Sequence, residues 1–273
     1  MGKKFASALV PVVLAVLLIL ADGCGAYNPN GTGGGGTGGS NPGQAQGFYS
    51  CDLQSLTTPT METLILSTDV FYGMVGQLQQ SSFAVSALIT GQGASGNNTY
   101  SSTTLTEYSA ASSSTVTVSA TDLPQSSMSG TITIGGAQGG FGGAALAGSL
   151  YTYSTPASIA TIATGSTPWT GTLLDGSAVT LNISTSGSIT TTSSGCQVTG
   201  NVTANTTNNL FTVSNLTFGS SSGGCVTGLA GQSTSAAVGI VFFLPDGVTQ
   251  ELLIPATVTS GGATVGTVFS AHR

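Results

Sequence analysis

The heptapeptide AVTLNIS, residues 178–184, decides how the chain folds. Val179, Leu181 and Ile183 fall on one side of an extended backbone; Thr180, Asn182 and Ser184 fall on the other. That period of two predicts a strand with one buried and one wet face. Its β-branched side chains suit a pleated surface. The same alternation recurs on both sides of it. In STVTVSA (114–120) Val116 and Val118 share a face, and in MSGTITI (128–134) Met128, Ile132 and Ile134 do. In CQVTGNVT (196–203) Cys196, Val198, Gly200 and Val202 lie opposite Gln197, Thr199, Asn201 and Thr203. Gly, Ser, Asn and Pro separate these runs, and the reading that follows is an all-β, antiparallel body.

Finer features predict register. Asp175-Gly176 reads as a hairpin turn between PWTGTLL (168–174) and AVTLNIS. A three-residue loop over Asp175 to Ser177 would set Trp169, Gly171 and Leu173 opposite Ile183, Leu181 and Val179, keeping one apolar face together. In LFTVSNLTF (210–218) the apolar phase switches between Val213 and Leu216, which predicts a bulge near Ser214 or Asn215. AVGIVFFL (237–244) is apolar on both faces and should be a central strand covered twice, or one at an interface. TPASIATI (155–162) suits one or two helical turns with Pro156 at the start.

The strands repeat in pattern. FYSCDL, METLILS, DVFYGMVG and SFAVSALITG, between residues 48 and 91, are followed in the same order by PWTGTLL, AVTLNIS, GSITTTSSG and CQVTGNVT, between residues 168 and 203. Two small barrel- or sandwich-like halves follow, over residues 48–164 and 165–273, with one larger mixed sandwich as the alternative.

Charge excludes more than it identifies. Only 4% of residues are charged, against about 25% in ordinary globular proteins. The basic residues are Lys3, Lys4 and Arg273, so residues 25–272 carry none. Nucleic-acid binding needs Lys and Arg against phosphates, and no nucleic-acid partner is expected. The carboxylates Asp52, Glu62, Asp69, Glu107, Asp122, Asp175, Asp246 and Glu251 read as scattered solubilising groups. His272 is the one histidine. It sits next to the last residue, where it makes a poor catalytic base or zinc ligand, so no enzymatic role, catalytic residue, metal or cofactor is expected.

The N-terminus reads as an export signal. Lys3 and Lys4 precede an apolar run from Phe5 to Ala21, shorter than the roughly 20 residues of a membrane span. Leu20, Ala21, Asp22, Gly23 and Cys24 resemble the bacterial lipobox, with Ala21 where that motif usually has Leu. The resemblance implies cleavage of residues 1–23 and lipidation of Cys24, which would anchor the chain to the membrane. Residues 24–47 are Gly-rich and unpatterned, a flexible tether with a root-mean-square reach of about 25 Å. Among the remaining cysteines, Cys196 and Cys225 each follow a Gly/Ser-rich turn and form the natural disulfide pair in an exported protein, worth roughly 3–4 kcal/mol. Pairing of either with Cys51 is the alternative.

The Cys24 start, YTYSTPASIATI, PWTGTLLDG, SSGC, NLFTVSNLTFG, GGC at Cys225 and the terminal GTVFSA together resemble uncharacterised outer-membrane lipoproteins of Gram-negative bacteria, over nearly the whole chain. That resemblance implies a β-rich body at the outer membrane and supplies no activity. Two roles remain: a structural or surface-interaction protein of the envelope, or binding of a small ligand or glycan by a barrel. The second would use exposed aromatics such as Tyr49, Phe71, Tyr72, Tyr100, Tyr108, Tyr151 and Tyr153, and an apolar cavity inside one half.

Overall fold

The computed structural model describes residues 43–54, 59–110, 112–145, 152–191, 196–225, 228–234 and 237–273. The signal, Cys24 and the tether up to residue 42 lie outside the described residues.

Two antiparallel barrels of eight strands each make up the body. The first contains β1 (Gly47–Leu53), β2 (Thr60–Ile65), β3 (Val70–Leu78), β4 (Phe83–Gln92), β5 (Ala94–Gly96), β6 (Thr99–Ser109), β7 (Ser113–Leu123), β8 (Ser127–Ile134) and β9 (Ala137–Ala145). Neighbours in sequence pair, β1 pairs with β9, and β4 closes on β6, leaving short β5 attached to β6. After a single helical turn, α1 (Ile159–Ile162), come β10 (Trp169–Thr172), β11 (Ala178–Ile183), β12 (Ser188–Thr191), β13 (Val198–Ala204), β14 (Phe211–Phe218), β15 (Ser233–Thr234), β16 (Ala237–Phe243), β17 (Gln250–Ser260) and β18 (Ala263–His272). Here β10 pairs with β18, β13 closes on β14, and β15 is the appendage. Strands built from Thr, Ser and Val carry no Lys to discourage edge-to-edge pairing, and closure removes those edges.

Alternation fills each barrel. Tyr49, Met61, Phe71, Ile89, Tyr100, Leu105, Val116 and Met128 pack inside the first. Trp169, Leu181, Val198, Val213, Phe218, Ile254 and Phe269 pack inside the second. A third core lies between the barrels, built from side chains that face outward from their own barrel. Leu64, Met74, Phe83 and Leu88 meet Val238, Ile240, Phe242, Leu253 and Val268. Phe48 and Phe242 are 5.2 Å apart between ring centroids. Tyr108 lies so close to Gly266 that a Cβ there would sit 2.5 Å from its ring. Both barrels belong to one compact unit.

This third core explains β16. Ala237 and Val241 enter the second barrel, while Val238, Ile240 and Phe242 meet the first. It also corrects the hairpin register. Trp169 and Gly171 pair with Leu181 and Val179, not with Ile183 and Leu181. The loop still has three residues, but they are Leu174, Asp175 and Gly176: the Leu173 and Ser177 backbones are joined at 2.9 Å. Leu174 leaves the strand because it is buried in the inter-barrel core. Gly176 takes φ 82°, and Asp175 Oδ1 accepts from Ser177 N at 2.8 Å. The β14 bulge falls where the phase switch places it. Thr199 and Asn201 oppose Thr217 and Ser214, so the extra residue is in β14, with Asn215 at φ 53°. The helix is a single turn, as TPASIATI allows, but Ser158 caps it and Pro156 stays outside.

The tether's last residues belong to the body. Residues 43–45 form a turn, Ala45 is buried in the first barrel, and Gly47 opens β1. Composition alone assigns these residues to coil, because it cannot see Asp69, just before β3, and Ser95 on β5, whose side chains hold them.

Candidate functional site

Cys24, the expected lipidation site, lies outside the described residues. Cys196 and Cys225 are joined by a disulfide that links the segment just before β13 to the loop after β14. Cys51 is unpaired and buried inside the first barrel. Burial pushes its thiol up to about 12, so it is no ready nucleophile.

The aromatics named as ligand contacts are packing groups. Tyr49, Phe71 and Tyr100 fill the first barrel, and Tyr72, Tyr108 and Tyr153 border the inter-barrel core; Tyr151 lies outside the described residues. Both interiors are occupied by side chains. Among the described residues an open recess of about 580 Å³ lies on the outer face of β6, β7 and β8, lined by hydroxyls including Ser101, Ser119, Thr121 and Thr131.

The carboxylates depart furthest from the sequence reading. Four of them are not solubilising surface groups: Glu62 and Glu251 are fully buried, Asp122 is 2% exposed and Asp69 5%. They form two constellations.

Glu62 on β2 and Glu251 on β17 share the outward phase of Leu64 and Leu253, which places them in the seam between barrels. Ser50 donates to Glu62 Oε1 at 2.8 Å, and Ser270 donates to Glu251 Oε1 at 2.6 Å. Each Oε2 is buried without a hydrogen-bond partner. Burial raises both carboxyls to about 8; the Ser50 hydroxyl partly offsets this in Glu62, and the charge of Glu251 adds to it. Both are therefore protonated near neutral pH. Full enclosure keeps them from any substrate, so they can respond to pH but cannot serve as an acid–base pair for catalysis.

The second constellation closes the mouth of the first barrel where the chain enters. Asp69 Oδ1 accepts from Gly43 N at 2.9 Å and from the Ser95 hydroxyl. Ser95 Oγ also accepts from Ala45 N at 3.2 Å. Tyr49 donates to Ala45 O at 3.1 Å and accepts from Gln125 N at 3.2 Å; Tyr100 donates to Asp69 O at 3.0 Å. Burial pushes Tyr49 up to about 12 and also raises Tyr100, so both phenols keep the protons they donate. Asp69, Asn97, Asn98 and Gln125 take positive φ in the loops around this mouth. Asp122 ends the inward row of β7. Burial raises its carboxyl, and the charge of Asp69 raises it further.

No protein family, curated protein or solved structure matches this chain. The comparisons therefore lend no support to the resemblance to outer-membrane lipoproteins.

A sequence signal for the buried acids does exist. Glu62 lies within METLILS and Glu251 within QELLIP, strands whose neighbours are apolar in both phases. Asp122 continues the inward phase of Val116, Val118 and Ala120. An acid in the buried phase of a strand differs from one in a loop, and counting acids by composition loses that distinction.

Proposed function

We propose that the chain is an exported, lipid-anchored envelope protein with a structural or surface-interaction role, held at the membrane through Cys24. The observation that carries this reading is the form of the body. Two closed barrels carry packed rows of buried side chains inside, while their outward Ser and Thr rows present an almost charge-free surface. Such a body has no basic patch with which to adhere to anionic lipid, so attachment falls to acyl chains. The filled interiors weigh against the barrel as a carrier of small molecules.

Mass spectrometry of the protein isolated from a membrane fraction tests the reading. The expected product begins at Cys24 and carries a thioether-linked diacylglycerol and an acylated amine. The Cys24→Ser variant should remain unprocessed and lose that lipid mass. An unmodified Cys24 in a protein that still fractionates with membranes would overturn the proposal.

A further inference from the structure

We propose that the tether-side mouth of the first barrel is a calcium-type cation site, with Asp122, Asp69 and the side-chain carbonyl of Gln44 as oxygen ligands. Asp122 supplies the first reason. Its inward phase on β7 aims it into the barrel mouth, it is 2% exposed, and neither of its carboxylate oxygens has a hydrogen-bond partner. A carboxylate so enclosed is relieved either by keeping its proton, as Glu62 and Glu251 do, or by a bound cation. Gln44 supplies the second. Its amide nitrogen donates to Asn98 Oδ1 at 2.9 Å, and its Oε1 is left buried and unpartnered. The Asn98 backbone carbonyl accepts the Asp122 backbone N–H at 2.9 Å, so the Gln44 side chain and the Asp122 backbone meet at one turn. Asp69 faces the same mouth: its Oδ1 accepts from Gly43 N, next to Gln44 in the chain, and from the Ser95 hydroxyl, leaving Oδ2 for the ion.

The donor set fixes the class of ion. Two carboxylates and a neutral carbonyl are hard oxygen ligands suited to an alkaline-earth cation. Among the described residues no group of three or more His, Cys, Asp or Glu side chains could hold a metal, so few anionic ligands are available. That places the affinity in the weak range of extracellular calcium modules, roughly 10⁻⁴ to 10⁻³ M. The second barrel shows what a cation does at the corresponding mouth. There Arg273 donates to Gln250 Oε1 at 2.9 Å, to Ala163 O at 2.8 Å and to Thr161 O at 2.5 Å, fastening the segment that enters that barrel. In the first barrel, a bound ion would fasten Gln44, and with it the end of the tether, to β7. This inference does not depend on the lipid.

The test is calorimetric titration of the full chain with calcium chloride alone, paired with thermal melting. Binding near millimolar affinity is expected, with a rise in melting temperature that follows calcium concentration. Asp122→Asn should weaken binding by about tenfold or more while preserving the β-sheet circular dichroism; Asp175→Asn, in the other barrel, should leave it unchanged. If Asp122→Asn fails to fold, Gln44→Met supplies the same readout from the entering segment. Absence of any calcium response in the wild type overturns the proposal, as does an affinity that survives Asp122→Asn or Gln44→Met intact.

Discussion

The two barrels receive the chain in the same way and close behind it with opposite charges. Each begins with a buried aromatic whose polar tip bonds a carbonyl of the entering segment: Tyr49 OH to Ala45 O at 3.1 Å, Trp169 Nε1 to Ile162 O at 2.8 Å. In the second barrel a guanidinium completes the latch, with Arg273 lying 4.3 Å over the Trp169 ring. In the first, Asp69 and Asp122 occupy the mouth. One strand plan thus accommodates two electrostatic solutions, because the latch needs only something to organise the entering carbonyls and amides. What closes a barrel is set by a few terminal residues and not by the strands.

The largest effect is expected at neither mouth but in the seam between them, and it calibrates the comparison. Glu62 and Glu251 titrate at about 8 when folded and near the ordinary 4.5 when unfolded. Each is a raised carboxyl, so the folded state holds the extra proton between those values. The stability they contribute is full below about pH 4.5 and is lost as pH rises through about 8. Urea midpoints measured across this window should therefore fall steadily for both barrels together. In Glu62→Gln/Glu251→Gln the fall should largely vanish. Equal slopes in the two proteins would mean that these carboxyls do not hold the seam.

Next in size is Trp169→Ala, which breaks the latch on one side only. It removes the largest buried side chain of the second barrel, the hydrogen bond to Ile162 O and the ring beneath the Arg273 guanidinium. Truncations of this kind cost about 3–5 kcal/mol. Hydrogen exchange should show β10 to β18 losing protection well before β1 to β9. Uniform loss in both barrels would show that the seam couples them too tightly for their mouths to be compared.

How much of this was legible in the sequence depended on distance along the chain. Alternation in AVTLNIS and MSGTITI, the double-faced AVGIVFFL and the phase switch at Asn215 are local signals, and each matches the strand it describes. The pairing of Cys196 with Cys225 was legible too, since flanking turns bring them near. Leu174 misled the hairpin register because its burial comes from the other barrel, whose approach leaves no trace in the hairpin's own alternation. The same approach turned Glu62 and Glu251 from expected surface acids into a buried pair. Gln44 and Asp122 escaped notice because a Gly-rich segment hides an ordered turn, and an acid near a strand end reads as exposed.

The smallest effect sharpens the comparison most. Arg273→Met keeps much of the aliphatic stem and removes the charge from the second mouth, which leaves Thr161 O, Ala163 O and Gln250 Oε1 without the guanidinium. Several charge-assisted bonds are lost from a side chain that is only half-buried, so the expected cost is about 1–2 kcal/mol. The loss should localise: amides of α1 and the segment up to Thr164 should exchange faster, while those of Gly43 to Gln46 should not change. Exchange that quickens equally at both mouths would mean that Arg273 supports the whole body and does not act as a latch. If only α1 loosens, then the guanidinium is the second barrel's own clasp, and the acids of the first mouth need a clasp from elsewhere.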